Sequence, residues 1–153
     1  MSGQQLHRSV LLDEVVEALD PIDGGFYLDA TFGNGGYSRA ILERADCTVI
    51  AIDRDPDAIA RGQSMCIEFV DRFVLLEGCF SDLTQLIHAA VPRQDRIHGA
   101  AFDLGVCSTQ LDQPARGFSL RNSGPLDMRM SKTGQSATDV VMQTSETDLA
   151  NIL

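Results

Sequence analysis

Metal-binding and dithiol pairs are missing from this chain. Its four cysteines, Cys47, Cys66, Cys79 and Cys107, never form a Cys-x-x-Cys pair, and His7, His88 and His98 stand far apart. Zinc and redox motifs are therefore unsupported, no metal is expected, and reduced thiols in a cytoplasmic protein are the simpler reading. No apolar run approaches the roughly 20 residues of a membrane span. The opening Met-Ser-Gly-Gln-Gln-Leu-His-Arg lacks the apolar stretch of a signal peptide. Positive charge is also scarce: 12 Lys and Arg face 22 Asp and Glu, a net charge of −10. Such a balance suits a grip on nucleic-acid phosphates poorly. The shortage is uneven, however. From Gln113 to Lys132 the chain carries Arg116, Arg121, Arg129 and Lys132 against Asp127 alone, a local +3. A phosphate-bearing partner would meet that segment, and the plain alternative is a solvated loop with a few arginines. What is present, 153 residues that are 44% apolar with mean hydropathy near zero, fits one soluble domain.

Strand-like and helix-like patterns alternate from Phe26 to Leu104. Ser9 is placed to cap a first helix bearing Leu11, Val15 and Leu19 on one face, ended by Pro21 and Gly24-Gly25. Strands are expected at Phe26–Ala30, Thr48–Ile52, Phe73–Glu77 and Ile97–Leu104, with a second helix from Ser38 to Arg44. Asp55-Pro56-Asp57 opens a third helix, combining a capping carboxylate, proline at the first helical position and an acid in the first turn. Ala58, Gly62, Met65 and Phe69 form its buried stripe. Ser81 is placed to cap a fourth helix with Leu83, Leu86, Ile87 and Ala90 on one face, stopped by Pro92. This order predicts an α/β fold with a parallel sheet covered on both faces. Beyond Leu104 periodicity fades until weak helical patterns at Ala137–Val141 and Glu146–Leu153. Open nucleotide-binding sheets carry more than four strands, so the chain is expected to be the N-terminal part of a longer protein.

The turn after the first strand points to a ligand. Gly33, Gly35 and Gly36 let the backbone turn sharply and approach a ligand without Cβ obstruction, and the N–H groups of a helix start lie behind them. The dinucleotide fingerprint fails here, because Gly33-Asn-Gly35-Gly36-Tyr37-Ser38 has serine where glycine or alanine packs helix on strand. Asp53, 20 residues after Gly33, closes the second strand where a carboxylate can accept both ribose hydroxyls. That arrangement serves NAD and S-adenosylmethionine alike. Asp29 beneath the glycines would repel a pyrophosphate but support the ammonium and sulfonium of S-adenosylmethionine, so charge sign favours the methyl donor. The same residues could instead make a plain turn, with Asp29 as a helix cap. Asp103, at the end of the fourth strand, would reach a ligand crevice at the switch of strand order, unless it only caps the turn before Gly105.

Seven blocks then fall in order. They are His7-Arg-Ser-Val-Leu-Leu-Asp-Glu-Val, Asp29-Ala-Thr-Phe-Gly-Asn-Gly-Gly-Tyr-Ser, Ala51-Ile-Asp-Arg-Asp-Pro-Asp-Ala, Gly78-Cys-Phe-Ser-Asp-Leu, Asp103-Leu-Gly-Val-Cys-Ser-Thr-Gln-Leu-Asp, Arg116-Gly-Phe-Ser-Leu-Arg and Gly124-Pro-Leu-Asp-Met-Arg-Met. The set resembles the bacterial 16S rRNA (cytosine-N4)-methyltransferase family, RsmH, formerly MraW, over essentially the whole chain. The resemblance implies a Rossmann-like class I S-adenosylmethionine-dependent methyltransferase core. Residues 1–109 would be its N-terminal part, and 110–153 the start of a mostly helical insertion that recognises substrate. It implies methyl transfer to the N4 of a cytosine in the decoding region of 16S rRNA, with the small ribosomal subunit as partner, no membrane, and room for a homodimer of the full-length protein. Position by position, the donor site would comprise Gly35, Gly36, Tyr37, Asp53, Phe80, Asp103 and Gln110, with Asp103 also catalytic. In that assignment Phe80 covers the adenine. The chain departs from the family at Tyr37, where histidine is usual, at Cys107 and Thr109 in place of a Ser-Ser-Pro run, and at Met142 in place of asparagine. Two other readings stay open: a remnant that binds S-adenosylmethionine without catalysis, and a nicotinamide-dependent oxidoreductase.

Overall fold

The computed structural model describes residues 9–92 and 96–152. His7 and Arg8 of the first motif, and Leu153 of the last predicted helix, lie outside these residues. The chain divides into two compact units, Met1–Leu104 and Gly105–Leu153.

The first unit is built on β1 (Phe26–Asp29), β2 (Thr48–Asp53), β3 (Phe73–Glu77) and β4 (Gly99–Ala101), all parallel, in the order β3-β2-β1-β4. Successive strands step one way from β1 to β3, and β4 then returns to the other side of β1. The strand order therefore reverses between β1 and β4, which in such sheets opens a crevice at the strand C-termini. Register sets Leu28 opposite both Ile50 and Ala100. Alternate residues of β2 serve opposite faces, as strand geometry requires. Val49 and Ala51 pack with Tyr27, Phe32, Ile41, Leu42 and Met65, whereas Ile50 and Ile52 pack with Leu28, Ala30 and Ile87.

Helices α1 (Leu12–Leu19), α2 (Gly36–Arg44) and α3 (Pro56–Glu68) supply the first face, and α4 (Leu83–Ala90) contributes to the second. The start of α3 forms as its local chemistry demands: Asp55 Oδ1 accepts the Asp57 N–H at 3.0 Å and Pro56 takes the first helical position. Its stripe of Ala58, Gly62 and Met65 is buried.

Three local expectations need correction. Ser9 does not cap α1: the preceding residue is Leu11, in the left-handed region at φ 50°, with no side-chain cap. Ser9 instead lies against Gly36, where a Cβ would collide with its Oγ. Ser81 does not cap α4 either, because it sits inside a 3-10 turn over Phe80–Asp82 that precedes the helix. β4 is three residues long, not the eight expected from Ile97 to Leu104. It pairs only with β1, and β1 ends at Asp29, so the ladder has no partner beyond Ala101.

The second unit contains α5 (Ser108–Leu111), a 3-10 turn over Pro114–Arg116, α6 (Ala137–Gln143) and α7 (Glu146–Ile152). The last two lie where the weak patterns predicted helix. None of the helices among the described residues is long and apolar enough to cross a membrane.

Candidate active site

The loop between β1 and α2 is stitched to β2. Phe32 N–H donates to the Ile52 carbonyl at 3.0 Å, and Gly35 N–H donates back to the Phe32 carbonyl at 2.7 Å. Gly35 stands at the N-terminus of α2 with φ 78°, a left-handed conformation that favours glycine. A Cβ there would come within 2.7 Å of the Phe32 ring and 2.9 Å of Met65 Sδ. The packing thus demands bare backbone at the place where a ligand would approach.

Two carboxylates shape this turn, and they do it differently. Asp53 closes β2 half-buried. Its Oδ2 accepts the Gly33 N–H at 2.7 Å and its Oδ1 accepts the Asp55 N–H at 2.8 Å. Each oxygen can accept further hydrogen bonds, so the loop leaves Asp53 capacity for hydroxyl donors. Asp29, by contrast, is fully buried and turned to the loop and the helix start. Its Oδ2 accepts the Ser38 hydroxyl at 2.7 Å, its Oδ1 accepts the Thr31 N–H at 3.3 Å, and the Ser38 N–H also bonds to it. Burial pushes its carboxyl up to about 6, against the Ser38 and Thr31 hydrogen bonds, with repulsion from Asp53 adding to the rise. Direct support of a ligand cation by Asp29, one of the two sequence readings, is therefore corrected. Asp29 organises the helix start and reaches a ligand only through its field.

Asp103 follows β4 on the far side of the strand-order reversal and is exposed, its N–H donating to Thr31 Oγ1 at 2.7 Å. Tyr37 is 6% exposed. Its hydroxyl donates to the Val10 carbonyl, and the Asp103 carboxylate lies near enough for its charge to act on the phenol. Burial, then Asp103 and Asp29, raise this phenol above its ordinary range. Phe80, 39% exposed, meets Phe102 edge-to-face with centroids 6.0 Å apart. The first unit thus gathers Gly35, Gly36, Tyr37, Asp53, Phe80 and Asp103 around the strand C-termini. Thr31, Ser38 and Phe102 escaped the sequence reading. Of these Ser38 had left a signal, as the serine that breaks the dinucleotide fingerprint.

Gln110 belongs to the second unit. It is 5% exposed, and its Oε1 accepts the Cys107 N–H at 3.0 Å in a reciprocal cap of α5. The two unusual residues beside it touch: Cys107 Sγ and Thr109 Oγ1 are 2.9 Å apart. The basic segment is less available than its charge count suggests. Arg116 is 8% exposed and donates to the carbonyls of Arg129 (3.1 Å) and Met130 (2.9 Å), so it is not an exposed phosphate contact. Arg129 grips Asp127 with Nε at 3.0 Å and Nη2 at 2.6 Å, which holds that carboxyl down to about 2.

This architecture is the fold of class I S-adenosylmethionine-dependent methyltransferases. It is shared with an rRNA methylase from Streptococcus thermophilus (TM-score 0.51, 20% identity, covering 68% of this chain and 60% of that one). A candidate rRNA-methylase from Clostridium thermocellum has it too (TM-score 0.55, 19% identity, 68% of this chain and 56% of that one). The profile of the MraW methylase family matches residues 4–153, and the chain belongs to that family. It is 58% identical over all 153 residues to ribosomal RNA small subunit methyltransferase H of Rhodospirillum rubrum, of which it covers 46%. The chain spans about half the length of the curated relatives it matches.

Proposed function

We propose that this chain provides the donor-binding half of an S-adenosylmethionine-dependent enzyme that methylates the N4 of a cytosine in 16S rRNA of the small ribosomal subunit. The observation that carries the reading is the glycine turn held to Asp53 at the switch of strand order, with Asp103 across from it. The residues present fit a sulfonium cofactor: the carboxylates of Asp53 and Asp103 line the crevice mouth and Asp29 lies beneath it. A diphosphate would meet three acids there. Asp53 would hold the ribose, Phe80 would cover the adenine, and the bare backbone of Gly35 and Gly36 would make room for the methionine moiety. Tyr37 and Gln110 complete the set that the family resemblance assigns. When bound, S-adenosylmethionine supplies an electrophilic methyl group.

The N4 lone pair of cytosine is conjugated with its ring, so the amino group is a weak nucleophile and a hydrogen-bond donor. Asp103, aimed at that N–H, would draw the nitrogen toward a geometry whose lone pair can attack. Orientation can supply about 7–11 kcal/mol in favourable cases. The target base must be unpaired or extruded, since a paired N4 is inaccessible. Residues 110–153 would begin the segment that reads the RNA, and Arg121 and Lys132 are its exposed cations. Incubating small subunits with labelled S-adenosylmethionine tests the reading, using this polypeptide and a full-length chain. Label on cytosine N4 with the full-length chain is expected, with loss of turnover in Asp103→Ala. Turnover of Asp103→Ala within a few-fold of wild type would remove Asp103 from the chemistry.

A further inference from the structure

The phenol of Tyr37 is the most heavily used group near the crevice that donor binding leaves unexplained. It is almost entirely buried, so its side chain presents little surface to a ligand. It sits in the first turn of α2, directly behind the glycines. Three parts of the unit converge on it: its own helix, the Ser9–Leu11 segment through the Val10 carbonyl, and the end of β4 through Asp103. The Ser9–Leu11 segment lies across the glycine turn, with Ser9 filling the space a Cβ on Gly36 would need. Leu11, at φ 50°, holds a conformation disfavoured for a non-glycine residue just where this segment enters α1. Such a residue persists only when contacts on either side hold it. On the strap side those contacts are Ser9 on Gly36 and Val10 on Tyr37.

The hydroxyl has one proton, while the Val10 carbonyl and the Asp103 carboxylate can only accept. That proton goes to Val10, so the strap depends on this donor, and the nearby Asp103 acts on the phenol through its charge. We infer that Tyr37 is a positioning residue whose hydroxyl fastens the Ser9–Leu11 strap over the glycine turn. This inference rests on the donor-site reading above, and it gives the tyrosine that stands in place of the family's histidine a task of its own. Phenylalanine fills the same space and presents no donor.

Three measurements test it, two of them without ligand. Amide hydrogen exchange at Val15, whose N–H donates to the Leu11 carbonyl where the strap enters α1, should speed up about tenfold in Tyr37→Phe, the scale of one lost hydrogen bond. The amides of Ile50 and Ile52 should stay as slow as in wild type, which shows that the fold is intact. The second measurement uses the fact that the chain has two tyrosines and no tryptophan. Phenolate absorbance, with Tyr37→Phe isolating the Tyr27 contribution, should show the Tyr37 midpoint falling in Asp103→Asn, because one of its two acidic neighbours, Asp103 and Asp29, loses its charge. Third, calorimetry should show S-adenosylmethionine binding weakened about tenfold by Tyr37→Phe. Unchanged exchange at Val15, or an unmoved phenol midpoint, would overturn the inference. Failure of the wild-type chain to bind S-adenosylmethionine would overturn the donor-site reading instead, and the first two measurements would still decide the role of Tyr37.

Discussion

The two units of this chain are held in shape by different forces. In the first, Val49, Ile50, Ala51 and Ile52 are all 0% exposed, and both faces of the sheet bury apolar side chains. In the second, the buried residues among those described are Gln110 and Arg116, and both are polar. That unit is tied by side chains reaching backbone. Arg116 donates to two carbonyls, Ser136 and Asp139 cap α6 reciprocally, and Thr138 Oγ1 donates to the Leu126 carbonyl at 2.7 Å. Apolar burial is non-directional and sums over a whole sheet. Side-chain clamps are local, and each one opens at modest cost.

The comparison can be broken most severely in the sheet. Ile52→Ala would leave a cavity between β2 and α4 and is expected to lower stability by about 2–5 kcal/mol in urea unfolding. Next in size is Asp29. Its folded-state value of about 6 lies above the ordinary 3.8, so the folded protein holds that proton more tightly than the unfolded chain. The penalty for ionising it is absent below 3.8 and complete above about 6, so this group lowers stability as pH rises through that window. At about 1.4 kcal/mol per tenfold change, the contribution reaches about 3 kcal/mol. Asp29→Asn should flatten the pH dependence of stability across that window by a comparable amount, whereas an unchanged slope would show that Asp29 is not the titrating group.

Smaller effects belong to the second unit. Arg116→Ala would strip the Arg129 and Met130 carbonyls of their charged donor, a local loss of about 2 kcal/mol. Amide exchange should accelerate across residues 126–134 and stay unchanged in β2; acceleration in both would contradict the division of forces. Ser136→Ala should cost about 1 kcal/mol, visible as fraying of α6.

What could be read from the residues follows the same line. The start of α3 was legible because Asp55, Pro56 and Asp57 act on their own backbone. The ends of β1 and β2 were legible to within one residue, and that of β3 as observed, because apolar runs meet glycine or acid. Ser9 and Ser81 looked like caps by the same local rules, yet tertiary contacts took Ser9 to Gly36 and a 3-10 turn took Ser81. The true length of β4 was not readable, since it depends on where its neighbour β1 stops. Around the crevice, Asp53 and the glycines could be found from spacing. Asp29 could be read two ways because burial decides between ligand contact and helix cap, and burial is a property of the packed sheet. Charge counting failed for Arg116 for the same reason: composition records its charge and is blind to its enclosure.

The most direct test of the account titrates this chain with S-adenosylmethionine and, separately, with NAD, in wild type and in Asp53→Ala. The account predicts heat from S-adenosylmethionine, none from NAD, and affinity reduced about tenfold or more when the Asp53 carboxylate is removed. Uptake of NAD in place of the sulfonium compound, or binding indifferent to Asp53, would contradict it.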